Sequence, residues 1–322
     1  MDEIGEIIQL IRGYGRFDEA AFANCEMFLR QHLTSLGGIE EPGQSHSGES
    51  TLMHTYNVVK AIHSILQSLK QQSYELPFLE QLYKLVDQAR LQGHLLKKVG
   101  NYDRYTLLFF ATLFHDIGKL GHFVQTGKSL AELSKYVKHA FLGGFMINFS
   151  AEGLNAVEAE VKRLEAEFAQ LKAVPEKTEK QKKSYEEARQ LIVQLKLVRR
   201  EIKKHFNLLN DLNFSQKDIE YLVFVVSNHI RCYDSFQMYS QIIQNLNDNQ
   251  ILKKINSLRQ KILEMIAQFG DYFYDIVLFF VSDKLGTGGF AQAMPESLVK
   301  YVEIANLLYN DNTFDIAKCL IN

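Results

Sequence analysis

Residues 103–116, DRYTLLFFATLFHD, are the segment that most constrains the fold of this chain. They are enough for about four turns of helix, and the segment is apolar on nearly every side. A helix with these properties needs neighbours all around it, so the segment predicts the central helix of a bundle. The chain also has long runs of apolar residues at helical spacing and only 4 prolines, which together predict an all-α protein.

Two other segments, 221–226 and 276–281, contain the β-branched and aromatic residues that are typical of strands. Each lies inside a longer helical pattern, so both are predicted to be buried helices. Further helices are predicted at 51–71, about 76–97, 129–149, 250–267 and 270–285, followed by two short ones. Ser50 is the predicted start signal of the first, and Ser215-Gln-Lys-Asp218 has the pattern of a capping box.

Residues from about 154 to 206 have a different pattern. Apolar residues recur in steps of 3 and 4 in two stretches, which are Val157, Val161, Leu164, Phe168 and Leu171, and then Leu191, Leu195, Val198 and Ile202. A polar stretch with a proline separates them, so an antiparallel helical hairpin with coiled-coil spacing is predicted. Its charged faces are typical of a solvated arm, and an arm for dimerisation or partner docking is the alternative. Residues 1–49 are predicted to form helices on the core, and 50–322 one domain that the hairpin interrupts.

The charge and the cysteines argue against several classes of protein. A net charge of −2 gives no global attraction to nucleic acid or to anionic membranes. Cys25, Cys232 and Cys319 are far apart and form no CxxC pair, which argues against disulfides and against cysteine zinc sites. The acidic start MDEIGEIIQL does not resemble a signal peptide, and the longest apolar stretches are short for a membrane span. A cytoplasmic protein without membrane segments or an evident nucleic-acid surface is therefore expected.

Several titratable residues lie on the most apolar helices of the chain. They are His54, His115, Asp116, His139, His229 and Asp283. Burying such groups costs free energy unless they are paired or bind a metal. A hydrogen-bonded core residue explains any one of them, but the whole set favours a metal site. The histidines expected to be merely solvated are His32, His46, His94 and His205, and His63 falls on the side of its helix opposite His54.

The order of these residues resembles that of the HD-domain superfamily of metal-dependent phosphohydrolases. The most specific match is HDIGK at His115-Asp116, and looser matches are MHTYNVV, NHIR and SDKLGT around His54, His229 and Asp283. The resemblance covers roughly residues 50–150 and 207–290, and it implies an all-α HD-domain helical bundle.

This resemblance implies a dinuclear metal centre. By position, the first metal would be bound by His54, His115, Asp116 and Asp283, and the second by His139 and His229, with Asp116 bridging the two. Nitrogen and oxygen ligands suit manganese, iron, magnesium, cobalt or nickel, and the sequence does not choose among them. Two such cations would activate a water molecule and neutralise charge on a phosphate during in-line attack.

Lys119 and Arg231 are the candidate phosphate-binding residues. Lys119 lies three residues after the HD pair and Arg231 two residues after the fourth ligand histidine. A lysine that follows a helix stop is equally compatible with a position at the surface. Gly143 and Gly144 follow His139 closely and would allow another helix to approach.

The principal function predicted is hydrolysis of a phosphate mono- or diester, with a small phosphorylated substrate such as a nucleotide. The match to particular subfamilies is partial. The GYP motif of cyclic-dinucleotide phosphodiesterases and the acidic pair of alarmone hydrolases are missing. SDKLGTG resembles the HD domains attached to tRNA nucleotidyl-transferring enzymes, but no transferase domain accompanies it. Two alternatives remain, an HD-type di-iron oxygenase and a non-catalytic HD-fold sensing or scaffold protein.

Overall fold

The computed structural model describes most of the chain, with gaps. The described residues are 49–71, 80, 82–84, 88–119, 139–140, 143–144, 147–148, 154–174, 178–186, 189, 192, 196, 212–247, 249–287 and 296–320. Within these residues the regular elements are helices and no strand occurs, so the all-α prediction is confirmed. The helices predicted for residues 1–48 lie outside the described residues.

The main helices follow one another in chain order. They are α1 (Thr51–Gln71), α2 (Gln88–Leu95), α3 (Arg104–Phe114), α4 (Leu154–Ala173), α5 (Gln216–Asn228), α6 (Arg231–Gln244), α7 (Ile251–Phe269), α8 (Phe273–Gly286), α9 (Glu296–Asn310) and α10 (Ala317–Leu320). A short 3-10 helix, Gly270–Tyr272, joins α7 to α8. Residues 139–140, 143–144 and 147–148 are also helical and fall within the predicted helix 129–149.

Local sequence signals begin two of these helices as predicted. Ser50 Oγ accepts a hydrogen bond from the backbone N–H of Met53 at 3.2 Å, before the first turn of α1. At α5 the side chains of Ser215 and Asp218 each accept a hydrogen bond from the other's backbone N–H, which is a capping box. These bonds satisfy backbone donors that the helix itself leaves without partners.

Two helix boundaries differ from the prediction. The sequence places His229 on an apolar helix, but α5 ends at Asn228 and α6 begins at Arg231 after a two-residue turn. α9 has 15 residues, whereas a short helix is predicted there. The first of these differences matters for the site, because the turn makes His229 the C-cap residue of α5 rather than an interior residue of a longer helix.

α3 lies at the centre of the bundle, as its apolar sequence predicts. Every residue from Arg104 to Phe114 is buried, and α3 packs against α1, α5 and α8. α8 is almost as deeply buried and packs along α1. The two segments with strand-like composition lie inside α5 and α8, so the prediction of buried helices is confirmed. This packing brings the carboxyl-terminal ends of α3, α5 and α8 together.

Two helical segments within the predicted hairpin contact each other. Phe168 of α4 stacks on Tyr185, with ring centroids 4.5 Å apart. Val161, Leu164 and Ile192 are buried in the same region. All four apolar residues predicted for the second half of the seam, Leu191, Leu195, Val198 and Ile202, lie outside the described residues. The contact is the one that an antiparallel pair of helices would make, and the role of the hairpin stays a prediction.

The stretch Ile251–Gly286, from α7 through α8, is long and apolar enough to cross a membrane by length and composition. It is the only such stretch among the described residues. Within its most apolar window of 18 residues, 67% is buried inside the protein. A core helix of a bundle has the same properties, because it too must be apolar on several sides.

Candidate metal centre

The predicted ligands lie together where α3, α5 and α8 end. We call this group the histidine–aspartate cluster, and its members are His54, His115, Asp116, His139, His229 and Asp283. The two C-cap residues of α3 and α5 are histidines of the cluster, α1 contributes His54 from its first turn, and α8 contributes Asp283 from its last turn. Every member is at most 7% exposed, so these charges and lone pairs interact with one another with little screening by water.

His54, His115 and Asp116 form the first of two groups of donors that could hold a metal ion. One ligand atom from each lies within 4.8 Å of the other two. Asp116 Oδ2 lies 3.1 Å from His115 Nε2 and 3.8 Å from His54 Nε2. Ligands that are each about 2.1 Å from one ion lie roughly 3–4 Å from one another, so this spacing is compatible with a shared cation.

Asp116 also belongs to the second group, together with His139 and His229. Its other oxygen, Oδ1, lies 3.4 Å from His139 Nε2. His139 Nε2 and His229 Nε2 face each other at 3.3 Å. Two imidazole lone pairs repel at this distance, so a proton or a cation must lie between the nitrogens. The Asp116 carboxylate therefore connects two groups of donors, one through each oxygen.

The rings of His115 and His229 are oriented by their own helices. His115 Nδ1 donates a hydrogen bond to the carbonyl oxygen of Thr112 at 2.7 Å, and His229 Nδ1 donates to that of Val226 at 2.7 Å. A carbonyl oxygen only accepts, so each Nδ1 carries a hydrogen and Nε2 is the nitrogen that can hold a proton or a metal. Metal-binding histidines are oriented in the same way by a hydrogen bond at the second ring nitrogen.

Asp283 is joined to the cluster through His54. Its Oδ1 lies 2.9 Å from His54 Nε2, and its Oδ2 accepts a hydrogen bond from the hydroxyl of Tyr233 at 2.7 Å. Burial acts to raise the pKa of Asp283, but the contact with His54 lowers it below its usual value. Tyr233 is absent from the residues predicted from sequence. No local sequence pattern identifies it, because its partner Asp283 lies 50 residues further along the chain.

Small residues allow the segment containing His139 to approach the rest of the site. A Cβ atom at Gly118 would lie 1.8 Å from the carbonyl oxygen of His139. Gly143 and Gly144 pack closely on α5, and a Cβ at Gly144 would lie 2.0 Å from Ser227 Oγ. The prediction that Gly143 and Gly144 allow another helix to approach is confirmed. Gly118, two residues after Asp116, is required for the same reason, since a side chain there would meet the backbone of His139.

Burial and mutual charge shift the pKa values of the cluster in different directions. Burial acts to raise the pKa of Asp116, but the charges of His115 and Lys119 hold it well below its usual value. Burial acts to lower the pKa of His115, but the Asp116 carboxylate raises it. Burial and the charge of His115 lower the pKa of His229 to about 4. At neutral pH the Asp116 carboxylate is therefore ionised and the His229 imidazole is neutral. Ionised carboxylates and neutral imidazoles are the forms that bind cations.

Lys119 and Arg231, the predicted phosphate-binding residues, have different surroundings. Lys119 is only 6% exposed, and its Nζ lies 2.7 Å from Asp116 Oδ2. It is therefore not a surface lysine. Arg231 is exposed at the first position of α6. Among the contacts of the described residues, none joins Arg231 to the cluster.

The helix ends add negative potential to that of the carboxylates. α3, α5 and α8 all direct their carboxyl-terminal ends at the cluster, and the dipole of a helix places partial negative charge there. Lys119 offsets part of this charge. The donors of the cluster are imidazole nitrogens and carboxylate oxygens, the set that suits manganese, iron, magnesium, cobalt and nickel. The residues therefore fit a divalent metal.

A second buried polar group lies near the opposite ends of α3 and α8. We call it the arginine cluster, and its members are Arg104, His94, Asp275 and Tyr221. Asp275 Oδ2 lies 3.2 Å from Arg104 Nη1 and 2.7 Å from His94 Nε2. Asp275 Oδ1 accepts a hydrogen bond from the Tyr221 hydroxyl at 2.6 Å.

The prediction that His94 is solvated is wrong, because its ring contacts the carboxylate of Asp275, 181 residues away in the sequence. The other histidines predicted to be solvated lie outside the described residues.

Comparison with known proteins assigns no family to the chain. No protein-family model matches the sequence, and no curated protein matches it either. The site is therefore characterised by its own geometry. Two groups of buried donors share Asp116, and Asp283 extends the first group through His54.

Proposed function

We propose that the chain is a metal-dependent phosphohydrolase of the HD-domain type. In this proposal the histidine–aspartate cluster is a dinuclear metal centre, and the hairpin is an insertion in the helical bundle. The observation that carries the proposal is the Asp116 carboxylate, whose Oδ2 lies 3.1 Å from His115 Nε2 and whose Oδ1 lies 3.4 Å from His139 Nε2. A carboxylate between two groups of imidazoles is suited to bridge two cations.

The ligands divide between the two ions according to their contacts. The first ion would be held by His54, His115, Asp116 and Asp283, and the second by Asp116, His139 and His229. Since the Asp116 carboxylate raises the pKa of His115, this histidine must release a proton before it can bind a cation. We therefore expect metal affinity to increase with pH.

The chemistry follows from the metals together with the chain's own groups. Bound divalent ions would activate a water molecule and neutralise charge on the phosphate oxygens. Lys119 holds Asp116 through the 2.7 Å contact, and its ammonium group is a buried cation beside the place where a phosphate would meet the metals. Arg231, exposed at the start of α6, is suited to attract an anionic substrate. A small phosphate mono- or diester such as a nucleotide fits these charges.

Two other functions are compatible with parts of the same site. An HD-type di-iron oxygenase has the same order of ligands, and no observation on the site favours it over hydrolysis. A sensing or scaffold protein would not require the cluster, and burying its charged groups would cost free energy without benefit. The buried donors therefore support a metal-dependent enzyme over a scaffold.

The test is a hydrolysis screen of the purified protein. The substrates are p-nitrophenyl phosphate, bis-p-nitrophenyl phosphate and a panel of nucleotides, with manganese, iron, magnesium, cobalt or nickel added one at a time. Asp116→Ala is the variant that removes the bridging carboxylate. Asp234→Ala is its control, because that aspartate is on α6 with an exposed side chain that pairs with Lys261 of α7. We expect turnover by the wild type and the control, and none above background by Asp116→Ala.

The possible outcomes separate the functions. Hydrolysis that persists in Asp116→Ala, with helical content unchanged by circular dichroism, would refute the proposal. Oxygen consumption with bound iron and no phosphate release would assign the site to an oxygenase. Absence of both metal uptake and turnover in the wild type would favour the scaffold function.

A further inference from the structure

Tyr233 contacts the aspartate that completes the first metal group. It lies in the first turn of α6, and its hydroxyl donates a hydrogen bond to Asp283 Oδ2 at 2.7 Å. The other oxygen of the same carboxylate, Oδ1, lies 2.9 Å from His54 Nε2. The carboxylate of α8 is thus held between α6 on one side and α1 on the other. Its rotation about the side-chain bond would break one contact or the other.

The ring of Tyr233 is itself held in place by two neighbours. Phe280 packs edge-on against it, with centroids 5.1 Å apart and planes at 85°. The ammonium group of Lys284 lies 4.0 Å from the ring centroid, where the negative face of the ring attracts a cation. Both neighbours belong to α8, the helix that also contains Asp283. The hydroxyl is therefore fixed relative to the carboxylate that it contacts.

We propose that Tyr233 is a positioning residue for the metal centre. Its hydroxyl donates to Oδ2 of Asp283, so Oδ1, which lies beside His54, is the oxygen that would remain for a bound cation. This inference rests on the proposed function, because it assumes that the cluster binds metal. Groups that hydrogen-bond to metal ligands fix the direction of the ligand's lone pairs, and their loss weakens metal binding about 10–100-fold. Tyr233 would act in this way without touching the metal.

The experiment is a manganese titration of metal-free protein, with free manganese measured by electron paramagnetic resonance. Tyr233→Phe keeps the ring and removes the hydroxyl. Tyr239→Phe is the matched control, since it makes the same change on the same helix at a buried tyrosine that packs against Tyr301. We expect one manganese binding step of Tyr233→Phe to weaken about 10–100-fold, while Tyr239→Phe binds like the wild type. The unfolding temperature of each protein in chelator is measured in parallel.

The titration distinguishes a positioning role from a structural one. Weakened manganese binding by Tyr233→Phe, with a metal-free unfolding temperature like that of Tyr239→Phe, supports the inference. Equal manganese affinity in Tyr233→Phe and the wild type overturns it and leaves the proposed metal centre intact. Weakened binding that accompanies a loss of metal-free stability also overturns it, because the hydroxyl would then only support the fold. A wild type that binds no manganese contradicts the metal centre itself, and the inference with it.

Discussion

The arginine cluster and the histidine–aspartate cluster lie at opposite ends of α3 and α8, and the protein balances their charges differently. In the arginine cluster, both oxygens of Asp275 receive donors from Arg104, His94 and Tyr221. The chain itself supplies both the Asp275 carboxylate and its hydrogen-bond donors, so the arginine cluster needs no added ion. In the histidine–aspartate cluster, Lys119 offsets only part of the charge of the two carboxylates, and His139 Nε2 and His229 Nε2 face each other at 3.3 Å.

The direction of the helices explains which cluster lies at which end. Asp275 lies in the first turn of α8, where the positive end of the helix dipole stabilises an anion. His115 and His229 cap the carboxyl-terminal ends of α3 and α5, where the dipole favours a cation. The comparison teaches that burial alone does not identify a functional site. The useful criterion is whether the chain supplies the counter-charge.

The largest effect on stability is expected in the arginine cluster. Asp275→Ala removes the buried carboxylate that lies 3.2 Å from the buried Arg104 guanidinium, and we expect a loss of about 3–5 kcal/mol in the free energy of unfolding. Asp271→Ala is the control, because this carboxylate also lies near Arg104 but its side chain is 71% exposed. A loss of about 1 kcal/mol or less is expected there. Urea unfolding in the presence of chelator measures both, and equal losses would contradict the role given to the arginine cluster.

A somewhat smaller effect is expected from His63, which lies on α1 and belongs to neither cluster. Burial lowers the pKa of His63 to about 4 from the usual 6.5. Between these values the unfolded chain binds a proton that the folded chain does not, so stability falls as the pH falls. The free energy of unfolding should fall by about 3 kcal/mol between pH 6.5 and pH 4, at roughly 1.4 kcal/mol per pH unit. His63→Leu should remove this part of the pH dependence of unfolding between pH 6.5 and 4. Identical slopes for the variant and the wild type would show that burial does not hold this histidine neutral.

The smallest effect on stability is expected beside the histidine–aspartate cluster. In Gly118→Ala the new Cβ meets the carbonyl oxygen of His139, so a backbone shift costing about 1–3 kcal/mol is expected. In Gly93→Ala nothing lies within 4 Å of the new Cβ, and α2 should gain about 0.5–1 kcal/mol. Thermal unfolding compares the two variants. A gain in stability for both would mean that His139 is not held as closely as described.

The sequence predicts those parts of the fold that depend on local patterns. The burial of α3 follows from its apolar composition, and the capping box at Ser215 and Asp218 follows from a four-residue pattern. The close approach at Gly143 and Gly144 likewise follows from residue size. The six ligand candidates are predicted from their order along the chain, and the structure brings them into one buried cluster.

Contacts between distant segments are not predictable in this way. His94 is in a polar stretch and resembles a solvated residue, yet it binds Asp275 in a helix far along the chain. The hydrogen bond between Tyr233 and Asp283 joins residues on α6 and α8. Such partners depend on how helices pack, which a single sequence does not specify. The buried contact of Lys119 with Asp116 is local, but its burial depends on the same packing.

The measurement that tests the account most directly is the metal content of the protein by plasma mass spectrometry. The protein is purified without chelator or a nickel column and loaded with manganese, beside Asp116→Ala, His139→Ala and Asp275→Asn. The account predicts about two ions per chain in the wild type, none in Asp116→Ala and about one in His139→Ala. Asp275→Asn should retain the content of the wild type in its folded fraction, because the arginine cluster needs no metal. A wild type without metal, or equal content in Asp116→Ala, would contradict the account.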